Sequence, residues 1–227
     1  MTELAIVIPA LNAARHLPEC LKALAGAWPV LLVDGGSDDA TREIARAAGA
    51  SVLQSVRGRG QQLAAGAAAS RSEWILFLHA DTVLETGWQI EARQFMADTA
   101  NNQRAAAFRF ALDDASGAAR RLEKVVAWRC RRLGVPYGDQ GLLLSRNFYD
   151  AIGGFRPQPI MEDVDIVRRI GRRNLVMLEA RAMTSAERWL RDGWLRRCLR
   201  NAACMTLYLA GAPLPLIDKA YGMGARG

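Results

Sequence analysis

Short apolar runs alternate with segments of helical periodicity along the first third of the chain. The apolar runs have strand length and few polar residues, as parallel strands buried on both faces do. They are Leu4–Pro9, Val30–Val33 and Trp74–Leu78, with a weaker run at Ser51–Val56. Helical spacing of apolar residues lies between them, over Ala14–Ala25, Thr41–Ala48 and Gln61–Ser70. This order predicts an α/β fold with a doubly wound, mostly parallel sheet flanked by helices.

The rest of the chain is less regular but continues the mixture of strands and helices. The predicted strands are Ala105–Leu112, Leu142–Leu144 and Leu175–Leu178. The predicted helices are Glu85–Asp98, Ala118–Leu133, Asn147–Ile152 and a segment opened by Met161–Asp165. Because no internal repeat or linker-like segment divides the sequence, we expect one domain.

Polar residues gather where the predicted parallel strands end. Right-handed crossovers bring the loops after those strands to one edge of the sheet, where ligands of open α/β folds bind. These loops carry Asn12, Asp34, Arg57, Arg59, His79 and Asp81. Acids and arginines collected at one edge indicate a binding site rather than a core.

Two of these loops have a structural interpretation beside the functional one. Asp34-Gly35-Gly36-Ser37 suits a turn, with Ser37 or Asp38 capping the next helix, and the turn is the favoured interpretation. The functional interpretation is a loop in which Asp34 binds a nucleotide base or ribose. Arg57-Gly58-Arg59-Gly60 suits either an exposed surface loop or a diphosphate site at a helix end.

Two acidic motifs likewise have both a structural and a functional interpretation. Asp81 follows the strand Trp74–Leu78, where it suits either a cap of the next helix or a carboxylate delivered to a ligand. Glu162-Asp163 stands at a predicted helix start, where acids complement the helix dipole. A carboxylate held near a substrate hydroxyl is also what a general base requires, so Asp163 is a candidate for that role.

Composition narrows the class of partner and compartment. The net charge is +7 and arginine carries most of it, which favours an anionic partner such as a phosphate-bearing molecule or an acidic membrane. The cysteines form no CxxC pair and, with the two histidines, no metal-ligand spacing; they are Cys20, Cys130, Cys198 and Cys204. The N-terminus has no basic segment and no apolar stretch reaches about 20 residues, so a cytoplasmic protein is expected.

An ordered set of motifs carries a resemblance to a known family. It comprises Ile8-Pro9-Ala10-Leu11-Asn12, Asp34-Gly35-Gly36-Ser37-Asp38-Asp39, a D-x-D-like strand end, Gly153-Gly154-Phe155 and Glu162-Asp163. Over residues 4–190 the chain resembles the family 2 glycosyltransferases of the GT-A fold. The resemblance implies sugar transfer from a nucleotide-diphosphate donor with inversion at the anomeric carbon, usually with Mg²⁺ or Mn²⁺. It also implies a GT-A domain over residues 1–190, and the helical spacing that follows predicts a helical extension over residues 191–227 packed on the same domain.

The resemblance assigns roles to residues at matching positions. The expected donor-nucleotide contacts are Pro9, Ala10, Asn12, Asp34, Gly36 and, through base or diphosphate, Arg57 and Arg59. Asp81 matches the metal-facing Asp of D-x-D, and Asp163 matches the catalytic base, with Glu162 beside it. A hard cation at Asp81 would take oxygen ligands and neutralise the departing diphosphate.

The sequence departs from the family pattern at two places. His79 replaces the first Asp of D-x-D. The contact that this Asp carboxylate makes in the family, to the ribose, must therefore come from an imidazole or be lost. The Q-x-x-R-W motif of processive members is reduced to Arg188-Trp189, which argues against a polysaccharide synthase. These features and Tyr137-Gly138-Asp139-Gln140-Gly141 resemble a bacterial subgroup associated with radical-SAM/selenodomain proteins and proposed to act in arsenosugar biosynthesis. There Asp139, Gln140, Arg188 and Trp189 would face the acceptor or diphosphate, although a structural turn explains Asp139-Gln140 equally well.

The C-terminal segment has three open interpretations. Leu190, Trp194, Cys198, Met205 and Leu209 fall near one helical face, with Arg196, Arg197 and Arg200 opposite. Such a helix suits packing on the core, which is favoured. It also suits peripheral contact of residues 189–217 with the inner face of a membrane, or a homodimer contact.

Three functions are compared. The first is the sugar transferase, acting on a nucleotide-diphosphate sugar and a small-molecule or lipid-linked acceptor, with no nucleic acid partner. The second is a nucleotidyltransferase, which normally has a glycine-rich basic loop where Pro9-Ala10-Leu11-Asn12 stands. The third is a non-catalytic nucleotide or RNA binder, which the scarcity of aromatics among the basic loops disfavours.

Overall fold

A computed structural model describes residues 3–222 of the protein. The strands, numbered in chain order, are β1 Leu4–Ala10, β2 Val30–Asp34, β3 Ser51–Gln54, β4 Trp74–Phe77, β5 Thr82–Leu84, β6 Ala105–Leu112, β7 Leu142–Ser145 and β8 Leu175–Thr184. The first five helices are α1 Leu17–Leu24, α2 Thr41–Ala47, α3 Arg59–Ala69, α4 Trp88–Ala97 and α5 Gly117–Leu133. The others are α6 Arg146–Ala151, α7 Glu162–Ile170, α8 Glu187–Asp192, α9 Trp194–Leu209 and α10 Leu214–Gly222.

All eight strands form one sheet in the order β3-β2-β1-β4-β7-β6-β8-β5. Strands β1 to β4 pair in parallel, as predicted. Strand β7 is antiparallel to both β4 and β6, β8 is parallel to β6, and β5 is antiparallel to β8. Two reversals cancel, so β6 and β8 point the same way as β1 to β4. The carboxyl ends of six strands therefore meet at one edge.

The core lies on both faces of this sheet. Strand β1 is buried throughout, with Leu4, Ile6 and Ile8 in the cluster beside α1 and α4, and Val7 in the cluster beside α3 and α7. Helix α3 approaches closely because Gly66 has no side chain: a Cβ there would overlap the methyl groups of Val7 and Val33. The two apolar layers hold the strand ends, and hence the loops, in fixed positions.

Several predicted boundaries are wrong. Strand β8 runs to Thr184 rather than ending at Leu178, because buried and exposed positions alternate along its second half. Strand β5 directly follows Asp81, so no helix begins there and the interpretation of Asp81 as a helix cap is wrong. Helix α3 begins at Arg59, two residues before the predicted start.

The C-terminal extension is three helices rather than one. Gly193 and Gly211, with φ of 83° and 77°, take the left-handed conformations that interrupt them. Helices α9 and α10 pack on Ile160, Met161 and Val164 through Cys204 and Ile217. The predicted extension runs to residue 227, and residues 223–227 lie outside the described residues. No helix within 3–222 has both the length and the apolar character needed to cross a membrane.

The predicted inward face of that extension is confirmed for Trp194 and Met205, which pack on interior clusters, and is wrong for the other three residues. Leu190, Cys198 and Leu209 are exposed, whereas Arg197, placed opposite them by the sequence pattern, is buried. The physical reason is an ion cluster: Arg197 and Arg200 both donate to the Asp192 carboxylate, at 2.9 and 3.2 Å. That cluster fixes the rotation of α9 about its axis and turns its arginines towards the protein.

Candidate active site

The loops after β1 and β2 are tied together by hydrogen bonds. Asn12 adopts a left-handed conformation, with φ of 50°, which asparagine tolerates better than most residues. Its N–H donates to Ser37 Oγ and its Oδ1 accepts from the Asp38 N–H, both at 2.9 Å. The Gly35 N–H donates to the Ala10 carbonyl, also at 2.9 Å. These bonds join the end of β1, which carries Pro9, Ala10 and Asn12, to the loop that carries Gly36. We call these four residues the shelf.

Asp34 fixes the conformation of this shelf from its buried side. Its side chain is fully buried, and its carboxylate accepts hydrogen bonds from the Gly36 and Ser37 N–H groups at 3.2 and 3.1 Å. The favoured turn interpretation therefore describes what Asp34 does here, and its carboxylate is not presented at the open edge. The predicted capping of α2 by Ser37 or Asp38 is wrong, because Asp39 accepts from the Thr41 N–H at 3.0 Å instead.

Gln62 also fixes the shelf, a role that the sequence did not reveal. It is buried in α3, and its Nε2 donates to the carbonyls of Ala10 and Val33 at 2.8 and 2.7 Å. One amide thus joins the ends of β1 and β2 to a helix. Its only sequence signal is a polar residue on an otherwise alanine-rich helix, a pattern that surface helices share.

Arg57 and Arg59 have different surroundings. Arg57 is exposed beside the strand edge, as a flexible basic loop would present it. Arg59 opens α3 and its Nε donates to Glu162 Oε1, a residue 103 positions away. Glu162 is buried, its Oε2 has no hydrogen-bond partner among the described residues, and desolvation raises its pKa. This ion pair joins the basic loop to the start of α7.

Asp163 lies next to that ion pair, at the first turn of α7. Its Oδ1 accepts from the Val164 N–H at 2.8 Å, and its Oδ2 accepts from the Gly138 N–H at 2.9 Å. Gly138 also touches His79: a Cβ added there would lie 2.5 Å from His79 Nε2 and 3.5 Å from Asp163 Oδ2. The side chains of His79 and Asp163 both lie against Gly138, so the predicted base and the D-x-D-like motif are close together.

His79 is held as a neutral imidazole at physiological pH. Burial, followed by the positive charge of Arg59, lowers its pKa to about 4 although Asp81 and Asp163 oppose the shift. Asp81 also lies near Cys20, whose pKa is raised to about 12 by burial and then by the Asp81 charge. The predicted residues His79, Asp81, Asp163 and Arg59 thus share one electrostatic environment at the carboxyl end of β4.

Asp139 and Gln140 face in different directions. Asp139 Oδ1 is buried without a hydrogen-bond partner in the described part of the chain, and burial raises its pKa to about 6. Asp163 and Asp81 add to that shift, so Asp139 lies on the site side. Gln140 is buried instead, donating to the Phe108 carbonyl at 3.0 Å. For Gln140 the structural interpretation applies, because its amide anchors the loop.

Arg188 and Trp189 are likewise separated. Arg188 is exposed beyond the end of β8, and its charge contributes to lowering the pKa of His79, which places it near the site. The Trp189 ring stacks on Trp194 at 5.7 Å and packs on the cluster of Leu112, Ala119 and Ala186. Trp189 therefore supports the C-terminal helices and is not brought to the site.

A divalent cation fits this arrangement as an ion shared with a substrate. Among residues 3–222, no three His, Cys, Asp or Glu side chains converge as a ligand cluster. Asp81 supplies one carboxylate oxygen donor at the strand end, next to a basic loop suited to phosphates. Mg²⁺ is commonly held by one or two carboxylates together with substrate phosphates, so this donor set is compatible with it.

Several solved structures share the fold of this chain. Mannosyltransferase PcManGT from Pyrobaculum calidifontis, in complex with GDP-Man and Mn²⁺, is similar with a TM-score of 0.68 and 16% identity, over 97% of this chain and 69% of that one. S. aureus TarS 1-349 has a TM-score of 0.63 and 14% identity, over 96% and 69%. Glucosyl-3-phosphoglycerate synthase from Mycobacterium tuberculosis, with Mn²⁺, UDP-Glc and phosphoglyceric acid, has a TM-score of 0.60 and 18% identity, over 93% and 81%.

The sequence itself also matches a family. No curated protein sequence matched the chain. The family model described as glycosyl transferase family 2 matches residues 5–159, which include every loop of the shelf, the basic loop and the His79–Asp81 strand end. That match spans more than half of the chain, and the sheet is the mostly parallel, helix-flanked sheet of its GT-A neighbours. The chain belongs to glycosyl transferase family 2 and has the GT-A fold.

Proposed function

We propose that this protein is an inverting glycosyltransferase that moves a hexose from a nucleotide-diphosphate sugar to a small-molecule or lipid-linked acceptor. The observation that carries the proposal is the Asp163 carboxylate, fixed by two backbone N–H groups beside His79 at the carboxyl edge of the sheet. A fixed carboxylate next to an open edge suits a general base. The family assignment favours this function over the nucleotidyltransferase and RNA-binder alternatives.

Asp163 would take the acceptor proton. As the acceptor oxygen attacks the anomeric carbon, its O–H proton passes to the Asp163 carboxylate and the bond from that carbon to the diphosphate oxygen breaks. The electron pair of the broken bond leaves with the nucleoside diphosphate, and attack from the opposite face inverts the carbon. The two N–H groups leave the outward lone pairs of the carboxylate available, and they fix its direction.

The donor would lie along the shelf and the basic loop. Asn12 and Gly36 are exposed and offer backbone and amide groups to the nucleoside, while the buried Pro9 and Ala10 act by fixing the shelf. Arg57 and Arg59 offer guanidinium groups to the diphosphate. Asp34 acts through the shelf rather than by direct contact. A Mg²⁺ or Mn²⁺ ion held by Asp81 and the diphosphate would neutralise the charge of the leaving group.

The structural neighbours support the proposed donor class. PcManGT is complexed with GDP-Man, TarS with UDP-GlcNAc, and the mycobacterial synthase with UDP-Glc. All three are nucleoside diphosphates linked to a hexose-type sugar, whereas the bases differ. We therefore propose a nucleotide-diphosphate hexose donor and assign neither its base nor its sugar.

The acceptor would meet the side of the site that carries Asp139 and Arg188. Asp139 Oδ1 is buried and without a partner among the described residues, so a hydroxyl of the acceptor could satisfy it. Asp139 and Gly138 belong to the loop that resembles the radical-SAM-associated subgroup, and we assign the chain to that subgroup on this loop, His79 and Arg188-Trp189. A cytoplasmic location belongs to the same proposal.

Replacing Asp163 with Asn tests the base assignment. The Asn side chain keeps the size and one of the two hydrogen bonds from backbone N–H groups but cannot accept the proton, so transfer should fall by at least about a thousandfold. Donor binding, followed by the thermal shift with nucleotide sugar, should stay within a few fold of wild type. Asp150→Asn, an exposed change outside the site, is the matched control. Transfer at the wild-type rate by Asp163→Asn would refute the proposal.

Replacing Asp81 with Ala tests the metal site separately. A panel of nucleotide-diphosphate sugars is screened by thermal shift with and without Mn²⁺, since a ligand that binds the native state raises its melting temperature. Wild type should show a Mn²⁺-dependent shift with a selective donor, and Asp81→Ala should lose that dependence. An Mn²⁺-dependent shift that survives in Asp81→Ala would remove Asp81 from the metal site.

A further inference from the structure

The outward face of α9 is apolar. Leu195, Leu199, Ala202, Thr206 and Leu209 recur at alternating spacings of four and three residues, and all are exposed. The three leucines keep 72%, 62% and 58% of their surface accessible. A row of leucines at helical spacing on the outside of a helix indicates a surface with an apolar partner.

The rotation that exposes these leucines is built into the fold. Arg197 and Arg200 reach inward to Asp192, and each also lies over an aromatic ring: Arg197 over Trp189 at 5.0 Å and Arg200 over Tyr221 at 5.1 Å. Turning the leucines inward would pull both guanidinium groups away from their carboxylate and rings. The leucines are therefore exposed because the inward contacts of Arg197 and Arg200 fix the rotation of α9.

The neighbouring helix α5 supplies positive charge. Its exposed cations are Arg120, Arg121, Lys124, Arg131 and Arg132, and the exposed Trp128 lies among them. Glu123 is the only acid of α5, and its carboxylate is engaged by Arg120 and the Leu112 N–H. Helix α9 contains no acid at all.

Two contacts place α5 beside the C-terminal helices. Leu122 and Trp194 pack on the same cluster near the start of each helix. Arg129 lies over the Tyr137 ring at 3.6 Å, and Tyr137 packs with Cys204 of α9. Helices α5 and α9 therefore share packing partners, and we call the exposed residues of these two helices the helical surface.

We propose that the helical surface binds lipid bilayers that contain anionic lipids. Leucine and tryptophan side chains enter the headgroup region of a bilayer, and arginine and lysine pair with anionic headgroups. Charge complementarity selects this occupant, because a second copy would bring two cationic faces together. Nucleic acid would satisfy the cations but would leave the leucine row in water.

Binding there would bring the site near the bilayer. Helices α9 and α10 pack on Ile160, Met161 and Val164, which flank Asp163. A lipid-linked acceptor would then reach the general base without leaving the membrane surface. This consequence rests on the proposed function, whereas bilayer binding itself does not.

Vesicle sedimentation of the full chain tests the proposal. Wild type should bind phosphatidylcholine vesicles that contain phosphatidylglycerol, bind pure phosphatidylcholine more weakly, and lose affinity as salt rises. Leu195→Glu/Leu199→Glu should lower the affinity by at least about tenfold, because two leucines leave the interface. Ile90→Glu is the matched control, since Ile90 is 62% exposed on α4, outside the helical surface. Equal melting temperatures of the variants establish that each is folded.

Three outcomes would overturn the proposal. The first is no binding of wild type to either vesicle, and the second is an equal loss in Ile90→Glu. The third is a dimer in sedimentation velocity that Leu195→Glu/Leu199→Glu dissolves while neither protein binds vesicles. The assay needs no donor or acceptor, and Asp163→Asn should bind vesicles like wild type, so failure here is distinct from failure of the proposed function.

Discussion

The strand-end loops follow the hydrophobic pattern of the sequence, whereas the C-terminal helix α9 departs from it. The apolar runs of β1 and β4 are buried, and Asn12, His79 and Asp81 stand at the sheet edge after them, where the pattern places them. In α9 the predicted inner residue Leu209 is exposed, while Arg197 on the predicted outer side is buried. One region follows apolar periodicity, and the other follows a charge cluster.

The difference lies in what fixes each element. A central strand has two neighbours, and their hydrogen bonds set which side chains face each layer. A helix at the surface can rotate about its axis, so its strongest side-chain contacts decide the rotation. Burying a leucine contributes about 1.5–3 kcal/mol, whereas breaking a buried ion pair costs about 3–5 kcal/mol. The observed rotation keeps the Asp192 ion pairs together with the contacts of Arg197 and Arg200 with aromatic rings, and it leaves the leucines exposed.

Among the substitutions that test this comparison, Gly138→Ala should have the largest effect, at the strand-end site. The new Cβ would lie 2.5 Å from His79 Nε2, so His79, or the loop whose N–H holds Asp163, must move. A displacement of about 1 Å in a catalytic group can lower a rate a hundredfold. Steady-state kinetics should therefore give a kcat/KM at least about a hundredfold below wild type, with most of the loss in kcat.

Gly117→Ala is the control for that substitution. Gly117 starts α5, has no positive φ, and a Cβ there meets only ordinary contacts. Its activity and melting temperature should stay near those of wild type. Wild-type kinetics in Gly138→Ala would mean that the loop at Gly138 does not position Asp163.

Much of the fold was predictable because alternating strands and helices have a local signal. Strands β1 to β4 and β6 stand out as apolar runs, and their parallel order follows from the helices between them. Strand β5 did not stand out, because three residues are too few to show a period and its pairing depends on β8. The end of β8 was missed because its inward residues Ala180 and Ala182 are small, which weakens the alternation.

The site was predictable in its loops and not in its contacts. Asp81, Arg59 and Asp163 were candidates from the sequence because acids and arginines follow strands or begin helices, and the structure brings them to one edge of the sheet. The Arg59–Glu162 ion pair and the bond from Gly138 to Asp163 join distant segments, and no local pattern encodes such pairs. The same limit explains Trp189, which the family motif placed at the site and which packs with Trp194 instead.

Asp192→Asn should have the next largest effect, on the C-terminal helices. It leaves Arg197 and Arg200, whose side chains are 9% and 12% exposed, without their counter-ion. The partial exposure of Arg191 and the retained amide moderate the loss, so urea unfolding should show about 2 kcal/mol of destabilisation. Asp218→Asn, an exposed change on α10, is the control and should leave stability unchanged.

The dependence of stability on acid pH tests the same comparison, and its expected effect on the free energy of unfolding is smaller. Hydrogen bonding from Arg191 and then Arg200 outweighs desolvation and lowers the pKa of Asp192 to about 2 in the native state. An unfolded aspartate titrates near 3.9, so the native state binds the proton less tightly than the unfolded state. The stabilisation is therefore fully present above about pH 4 and lost as pH falls towards 2. The free-energy gap between wild type and Asp192→Asn should shrink across that window, and a constant gap would mean that Asp192 acts through packing rather than charge.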